Sequence, residues 1–190
     1  MAATSKPENA PACKRRALPS QDRLKQLLCY DPETGLFTWA VDVICGRGRG
    51  HPIVKAGDVA GGVSSAPHTS YVFIGVDGKR FAAHRLAFIY MIGVAPDIVD
   101  HIDGNGLNNS WENLRAATKS QNAANSKTPV DNKVGVKGVM RDKHGKKWVA
   151  QIKPSGHRST HLGTFDTIEE ASAAYERAAR MHFGEFARTE

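Results

Sequence analysis

Short apolar runs alternate with polar stretches along the chain, broken by turn-forming residues, and the pattern predicts an α+β protein. Ser20 stands as an N-cap before a short helix carrying Leu24, Leu27 and Leu28. Asp31-Pro32-Glu33-Thr34-Gly35 is a turn signal, followed by a strand over Leu36-Phe37-Thr38-Trp39-Ala40-Val41. The runs from Tyr71 to Val76 and from Lys79 to Ala82 flank Asp77-Gly78, a hairpin signature. A helix through Leu86, Phe88, Ile89 and Tyr90 follows, closed by Gly93. Thr118-Lys119-Ser120-Gln121 is a capping box that opens another helix. Beyond a polar stretch containing Pro129, three strands are expected over Val136 to Arg141, Lys147 to Lys153 and His161 to Phe165. Thr167-Ile168-Glu169-Glu170, a second capping box, starts a helix with Ala171, Ala174, Tyr175 and Ala178 on one face. Small residues on such a face let a helix lie close against a sheet. The pattern therefore divides the chain into a flexible basic tail (residues 1–20), a first domain (21–126), a linker (127–135) and a second domain (136–190).

Composition narrows the range of partners. The formal charge of +7 and the pI near 9.5 favour a polyanion, either nucleic acid or an acidic membrane surface. No apolar run approaches membrane-spanning length, and the start, Met1-Ala2-Ala3-Thr4-Ser5-Lys6-Pro7, lacks a secretory apolar segment. Nucleic acid is therefore the expected partner, with no membrane, in an intracellular setting. The three cysteines, Cys13, Cys29 and Cys45, are odd in number and widely spaced, which argues against a disulfide framework or a zinc knuckle. Gly46-Arg47-Gly48-Arg49-Gly50 lacks the Gly-Lys-Ser/Thr of a phosphate loop. It suits a loop lying on a phosphate backbone and a plain solvated loop equally well.

The densest chemistry lies in Val99-Asp100-His101-Ile102-Asp103-Gly104-Asn105-Gly106, continuing to Trp111-Glu112-Asn113-Leu114 and Ser120-Gln121-Asn122-Ala123-Ala124-Asn125. So many carboxylates and amides are poorly suited to a packed core, where each must find a partner; a divalent ion and a phosphodiester would provide them. Hydrolysis of a phosphodiester needs a base near neutral pH, and His101 has the right intrinsic pKa. The Asp100 carboxylate suits a hard cation such as Mg²⁺ or Mn²⁺. The capping box places Asn122 early in a helix, where its side-chain oxygen could complete a metal site, with Asn125 at i+3 on the same face. Asn113 could accept the other imidazole N–H and fix the tautomer of His101. A calcium loop fails, because Leu107 and Asn108 fall where an EF-hand needs an oxygen ligand and glycine. His84, in an apolar helix before Arg85, reads as a packing residue or as a support behind the site rather than as a ligand, and the remaining histidines show no partner pattern.

This segment resembles the HNH endonuclease family in its asparagine-rich homing form, from His84-Arg85-Leu86-Ala87 through Asp100-His101-Ile102-Asp103-Gly104-Asn105, Asn108-Asn109, Glu112-Asn113-Leu114-Arg115 and Ala117 to Asn122. The resemblance implies a ββα-metal nuclease region with its core at about residues 84–126. It implies His101 as general base, Asn113 as the middle polar residue, and Asp100 and Asn122 as ligands of Mg²⁺ or Mn²⁺. Asn122 stands where many members carry histidine, so the implied metal site is weaker and less selective.

A second resemblance covers Val136 to the C-terminus. Gly138-Val139-Met140-Arg141, Lys147 to Ile152, Leu162-Gly163-Thr164-Phe165, the alanine-rich helix and Gly184-Glu185-Phe186 are similar to the Apetala-two/ethylene-response-factor DNA-binding domain. That family folds as a three-stranded antiparallel sheet packed on one helix, with the sheet laid in the major groove. Lys137, Arg141, Lys143, Lys146, Lys147, Lys153, Arg158 and Trp148 concentrate on this sheet; alone they fit a solvated face as well as a DNA surface. With the resemblance, Arg141, Lys143, Trp148, Lys153 and Arg158 are expected to contact double-stranded DNA. Met140 stands where the family often has arginine, so no base sequence carries over.

Together these readings predict a metal-dependent endonuclease of a phage or mobile element, monomeric or homodimeric and without an obligate protein partner. The rival reading is a sequence-specific DNA-binding regulator with an inactive nuclease half. An RNA-binding protein is disfavoured by an aromatic content of only 7%.

Overall fold

The computed structural model describes residues 17–44, 53–66, 69–128, 132, 134–154 and 158–188. The basic run Lys14-Arg15-Arg16, the Gly46 to Gly50 loop and positions 129–131 and 133 of the expected linker lie outside the described residues.

The first half is assembled from short antiparallel pairs. Helix α1 (Gln21–Leu27) starts at Ser20, whose side chain accepts from the Arg23 amide as the pattern predicts. It leads into β1 (Leu28–Tyr30), which pairs with β2 (Phe37–Trp39) across the Asp31 to Gly35 turn. Strands β3 (Val43–Ile44) and β4 (Ile53–Val54) form a second pair. A three-stranded sheet follows, in the order β5 (Gly62–Ala66), β6 (Thr69–Val76), β7 (Lys79–Ala82). Asp77 and Gly78 both take positive φ at the β6–β7 turn, the conformation that an Asp-Gly hairpin requires. Strand β5 was not foreseen; its Gly-Val-Ser-Ser-Ala sequence has too little apolar content to announce a strand, and β6 holds it.

Helix α2 (Ala83–Ile92) ends at Gly93 and packs Leu86, Ala87, Phe88 and Ile89 into the interior. Strands β8 (Ile98–His101) and β9 (Leu114–Ala117) then pair, and α3 (Lys119–Asn125) is opened by the complete Thr118/Gln121 capping box. Leu24, Leu28, Phe37, Ile74, Leu86, Ile89, Val99 and Leu114 belong to one apolar cluster that binds these pieces together.

The second half forms its own cluster around Val139, Ala150, Ala171 and Ala174. Strands β10 (Val139–Arg141), β11 (Trp148–Ile152) and β12 (Thr160–Phe165) make an antiparallel sheet in that order, and α4 (Ile168–Phe183) covers one side. The first of these strands begins three residues later than the apolar pattern suggests. Gly138 has φ of 66° and presses against the Gln151 carbonyl and the Tyr175 ring, where no β-carbon would fit. Of the second capping box the Thr167 half forms, its hydroxyl accepting from the Glu170 amide. On α4 the fully buried alanines are Ala171, Ala174 and Ala179, while Ala178 is half-buried. The contacting stripe thus follows the i, i+4, i+8 row of the helix through Tyr175. A final 3₁₀ turn, Gly184–Phe186, closes the described chain.

Candidate functional site

Asp100 and His101 occupy the last two positions of β8, and both are buried. Successive side chains on a strand point to opposite faces, so the two meet different neighbours. Asp100 lies opposite Arg115 in the β8–β9 register. Its Oδ2 accepts from Arg115 Nε at 2.8 Å, and both carboxylate oxygens lie within 3.0 Å of Asn125 Nδ2. The same Asn125 amide donates to the His101 carbonyl at 2.7 Å. The end of α3 is thereby fastened to the end of β8.

His101 faces the opposite way. Its Nε2 lies 3.3 Å from Asn109 Oδ1, and its ring meets His84 edge-on at 5.1 Å and Tyr71 at 5.9 Å. Burial pulls the His101 pKa below the ordinary histidine value against the opposing effects of Asn109, Asp103 and Asp100. His84 is held lower still, at about 3, chiefly by burial and then by its neighbours His101 and Arg85. Its Nδ1 is buried without a hydrogen-bond partner.

The loop between β8 and β9 accounts for most of the amides that the sequence left unexplained. Asn105 N and Asn108 Nδ2 donate to the two oxygens of Asp103, and Asn105 Oδ1 accepts from Leu107 N. Asn113 Oδ1 accepts from Asp103 N at 3.0 Å, while its Nδ2 donates to Asp103 Oδ1 and to the Asn108 carbonyl. Much of the loop is therefore satisfied internally, and Asn113 is its brace. The expected contact between Asn113 and the imidazole is replaced by one from Asn109. Asn113 is committed to Asp103 and Asn108, whereas Asn109 is anchored by its backbone: Tyr30 Oη donates to the Asn109 carbonyl at 2.7 Å. Burial raises the Tyr30 pKa to about 12, so this donor keeps its proton. Gly106 packs directly against the Ser70 carbonyl and the Tyr71 ring, seating the loop on β6.

Asn122 stands exposed on α3 one turn before Asn125, and it is Asn125 that reaches Asp100. Asn125, Arg115 and Asn109 were not selected as site residues from sequence. For Asn125 the signal was available in its i+3 spacing from Asn122. For Arg115 it would have required the strand register. Among the described residues no group of three or more His, Cys, Asp or Glu side chains could hold a metal. Asp100 and Asn122 are oxygen donors of the kind a hard ion takes, but they are not brought together: the Asp100 carboxylate is buried on Arg115 and Asn125, while Asn122 stands exposed.

On the second sheet Arg141, Lys143, Lys153 and Arg158 are exposed and Trp148 is half-buried. Arg141 lies opposite Trp148 in the register, and its guanidinium sits 3.8 Å from the centre of the indole. Strand alternation puts this pair on the side of Val139 and Ala150, which α4 covers. Met140, Val149, Gln151 and Thr164 face away from the helix. Lys143 lies in the β10–β11 turn, Lys153 just beyond β11, and Arg158 between β11 and β12.

Residues 81–124 match the family model described as HNH endonuclease, and residues 134–185 match that of the AP2 domain. The chain is 36% identical to Protein 3.8 of Escherichia phage T7 over 90 residues, which are 47% of this chain and 73% of that protein. It is 37% identical to an uncharacterized HNH endonuclease of Acanthamoeba polyphaga mimivirus over 118 residues, 60% of this chain and 59% of the viral one. Over 70 residues it is 44% identical to the ethylene-responsive transcription factor LEP of Arabidopsis thaliana, 35% of this chain and 33% of that protein. No helix among the described residues is long and apolar enough to cross a membrane.

The two histidines make stability depend on acid. His84 has a lower pKa folded than unfolded, so between pH 6.5 and about 3 the unfolded chain holds the extra proton. Stability is on its plateau above pH 6.5 and falls below it, by about 2 kcal/mol between pH 7 and pH 5. Denaturant unfolding at the two pH values is expected to show this loss and a smaller one in His84→Leu; an equal loss in both would remove His84 as its source.

Proposed function

Because the chain belongs to the HNH endonuclease family and carries an AP2 domain behind its nuclease domain, we propose that it hydrolyses phosphodiester bonds in duplex DNA with the help of Mg²⁺ or Mn²⁺. The nuclease part spans residues 21–126 and the DNA-reading part 136–190. The observation that carries this reading is the buried Asp100–His101 pair at the end of β8, braced by α3 on one face and by Asn109 on the other.

His101 is the general base. Its lowered pKa keeps it neutral and able to accept a proton at pH 7. With Nε2–H donating to Asn109 Oδ1, the lone pair is on Nδ1, which takes the proton of the attacking water. Asp100 and Asn122 are the residues that would hold the ion, and when bound it supplies positive charge for the phosphorane and the leaving oxygen. Asn113 keeps the Asp103–Asn108 loop in shape, and Asn109 keeps the imidazole in its tautomer. One such centre cuts one strand, so a monomer nicks and a homodimer breaks both strands. The phage and mimiviral relatives support a homing enzyme of a phage or mobile element, working inside a host cell.

DNA is held by the second sheet. The residues that would contact the DNA are Arg141, set over Trp148 on the α4 side of the sheet, Lys143 in the β10–β11 turn, Lys153 just beyond β11 and Arg158 before β12. Arginine suits guanine edges and phosphates, and lysine suits phosphates. The rival reading, a DNA-binding regulator with an inert nuclease half, differs in one observable, strand scission.

Incubation of supercoiled plasmid with Mg²⁺, Mn²⁺ or EDTA tests the choice. Nicking is expected with either ion and not with EDTA, and His101→Ala is expected to slow it by about two to four orders of magnitude with DNA affinity nearly unchanged. Tight duplex binding without scission under either ion would establish the regulator instead. For the sheet, Arg141→Ala is expected to weaken duplex binding and flatten the dependence of log affinity on log salt by about one unit. Unchanged binding would take Arg141 off the DNA surface.

A further inference from the structure

Phe186 is buried, yet it belongs to neither apolar cluster. What covers it is Arg115, the residue that holds Asp100: the guanidinium carbon lies 3.7 Å from the centre of the Phe186 ring. Arg115 Nη1 donates to the Glu185 carbonyl at 3.1 Å, while Nε stays on Asp100. Two residues further, Arg188 Nη1 donates to the Asp103 carbonyl at 2.9 Å, filling the space beside Gly104. Lys137, at the start of the second half, closes the junction from the other side. Its Nζ donates to the carbonyls of Ala124, Ser126 and Arg188. Burial holds the Lys137 pKa down at about 8, with Arg188 adding to the effect, as befits a cation taken into the junction. The segment from Glu185 to Arg188, at and just beyond the end of the AP2 match, is thus packed onto both β8–β9 and the Asp103 loop.

We propose that residues 184–188 are a working part of the nuclease centre, with Arg115 as the positioning residue that joins them to Asp100. This rests on the endonuclease reading above. A guanidinium has a planar fork of donors and a flat face. Here Asp100 and Glu185 occupy two donors and Phe186 occupies the face, so the fork has one orientation and the carboxylate is set by it. Without Phe186 and the Glu185 carbonyl, Arg115 is free to swing toward solvent, and Asp100 retains Asn125 as its hydrogen-bond donor. A substrate gripped by the second sheet therefore meets a centre that the same domain has aligned, so that recognition and cutting are coupled through the clasp as well as through the connecting chain.

The test uses the full chain in four forms: wild type, Phe186→Leu, Phe186→Tyr and Arg188→Ala. Leucine keeps most of the buried volume and removes the ring; tyrosine keeps the ring. Amide hydrogen exchange without DNA or metal reads the docking, and single-turnover cleavage over a range of duplex concentrations reads its consequence. In Phe186→Leu and Arg188→Ala, exchange is expected to quicken across residues 98–104 and 114–117. The rate at saturating DNA should fall by about tenfold, the scale of loss that a misplaced catalytic group produces, with half-saturation nearly unchanged. Phe186→Tyr should behave as wild type. Unchanged exchange in those segments, or faster exchange with an unchanged saturating rate, overturns the proposal. If the wild type cuts under neither ion, the endonuclease reading fails by itself, and the exchange data still decide whether the C-terminal end holds β8 and β9.

Discussion

Asp100 is 3% exposed, and a carboxylate at that depth is unstable unless donors surround it. The surrounding architecture follows from meeting that requirement. Arg115 has to lie opposite Asp100, which fixes the register of β8 with β9. Asn125 has to reach the same carboxylate, which fixes where α3 crosses the end of β8. A slip of one residue in either strand would turn Arg115 away and leave the charge unpaired. Truncating one partner of such a buried pair typically costs several kcal/mol, because the other charge stays behind.

The second face of the strand shows the same economy of parts. His101 is aimed by Asn109, Asn109 is held by the Tyr30 hydroxyl, and Tyr30 sits in the main apolar cluster against Phe37. The orientation of the imidazole is therefore tied to the N-terminal hairpin through a chain of three contacts. The asparagine-rich loop is a self-bonded unit whose amides largely satisfy one another. The Asp100 carboxylate is likewise occupied, by Arg115 and Asn125, whereas Asn122 stands exposed one turn before Asn125. The two halves have separate apolar clusters, but the polar junction at Arg115, Lys137 and Arg188 keeps the second half in contact with β8, β9 and the Asp103 loop.

Much of this was legible in the sequence because the signals were local. The Ser20 and Thr118 caps, the Asp77-Gly78 turn and the Gly93 stop depend on neighbours within a few residues, and they appear where the pattern puts them; the alanine face of α4 does so in part, with Ala179 buried in place of Ala178. The Asp100–His101 pair was legible as chemistry, since an acid beside a histidine followed by spaced asparagines has little use in a core. What sequence could not provide was the partner of each polar group. Asn113 and Asn109 are chemically equivalent donors and acceptors four residues apart; the commitment of Asn113 to Asp103 and Asn108, and the anchoring of the Asn109 backbone by Tyr30, go with Asn109 being the one that meets His101. Arg115 reads as an ordinary strand residue until β9 is laid beside β8. Phe186 is one residue of a family-like string in the sequence, and nothing there announces that its ring lies under a guanidinium from the other half of the chain. The placement of Arg141 with Trp148 on the helix side likewise depends on the register of β10 with β11, which sets Val139 against Ala150 and Arg141 against Trp148.

The most direct measurement of the central claim is single-turnover cleavage of duplex DNA by Asp100→Asn, with thermal unfolding measured in parallel. The change keeps the size of the side chain and one acceptor oxygen while removing its charge and the second acceptor. The account expects scission in Mg²⁺ and Mn²⁺ to fall by at least about two orders of magnitude, a loss of the size that follows removal of a key electrostatic group at a reacting centre, while the protein remains folded. Cleavage at the wild-type rate by a folded Asp100→Asn protein would contradict it, and would mean that the buried carboxylate serves the fold alone.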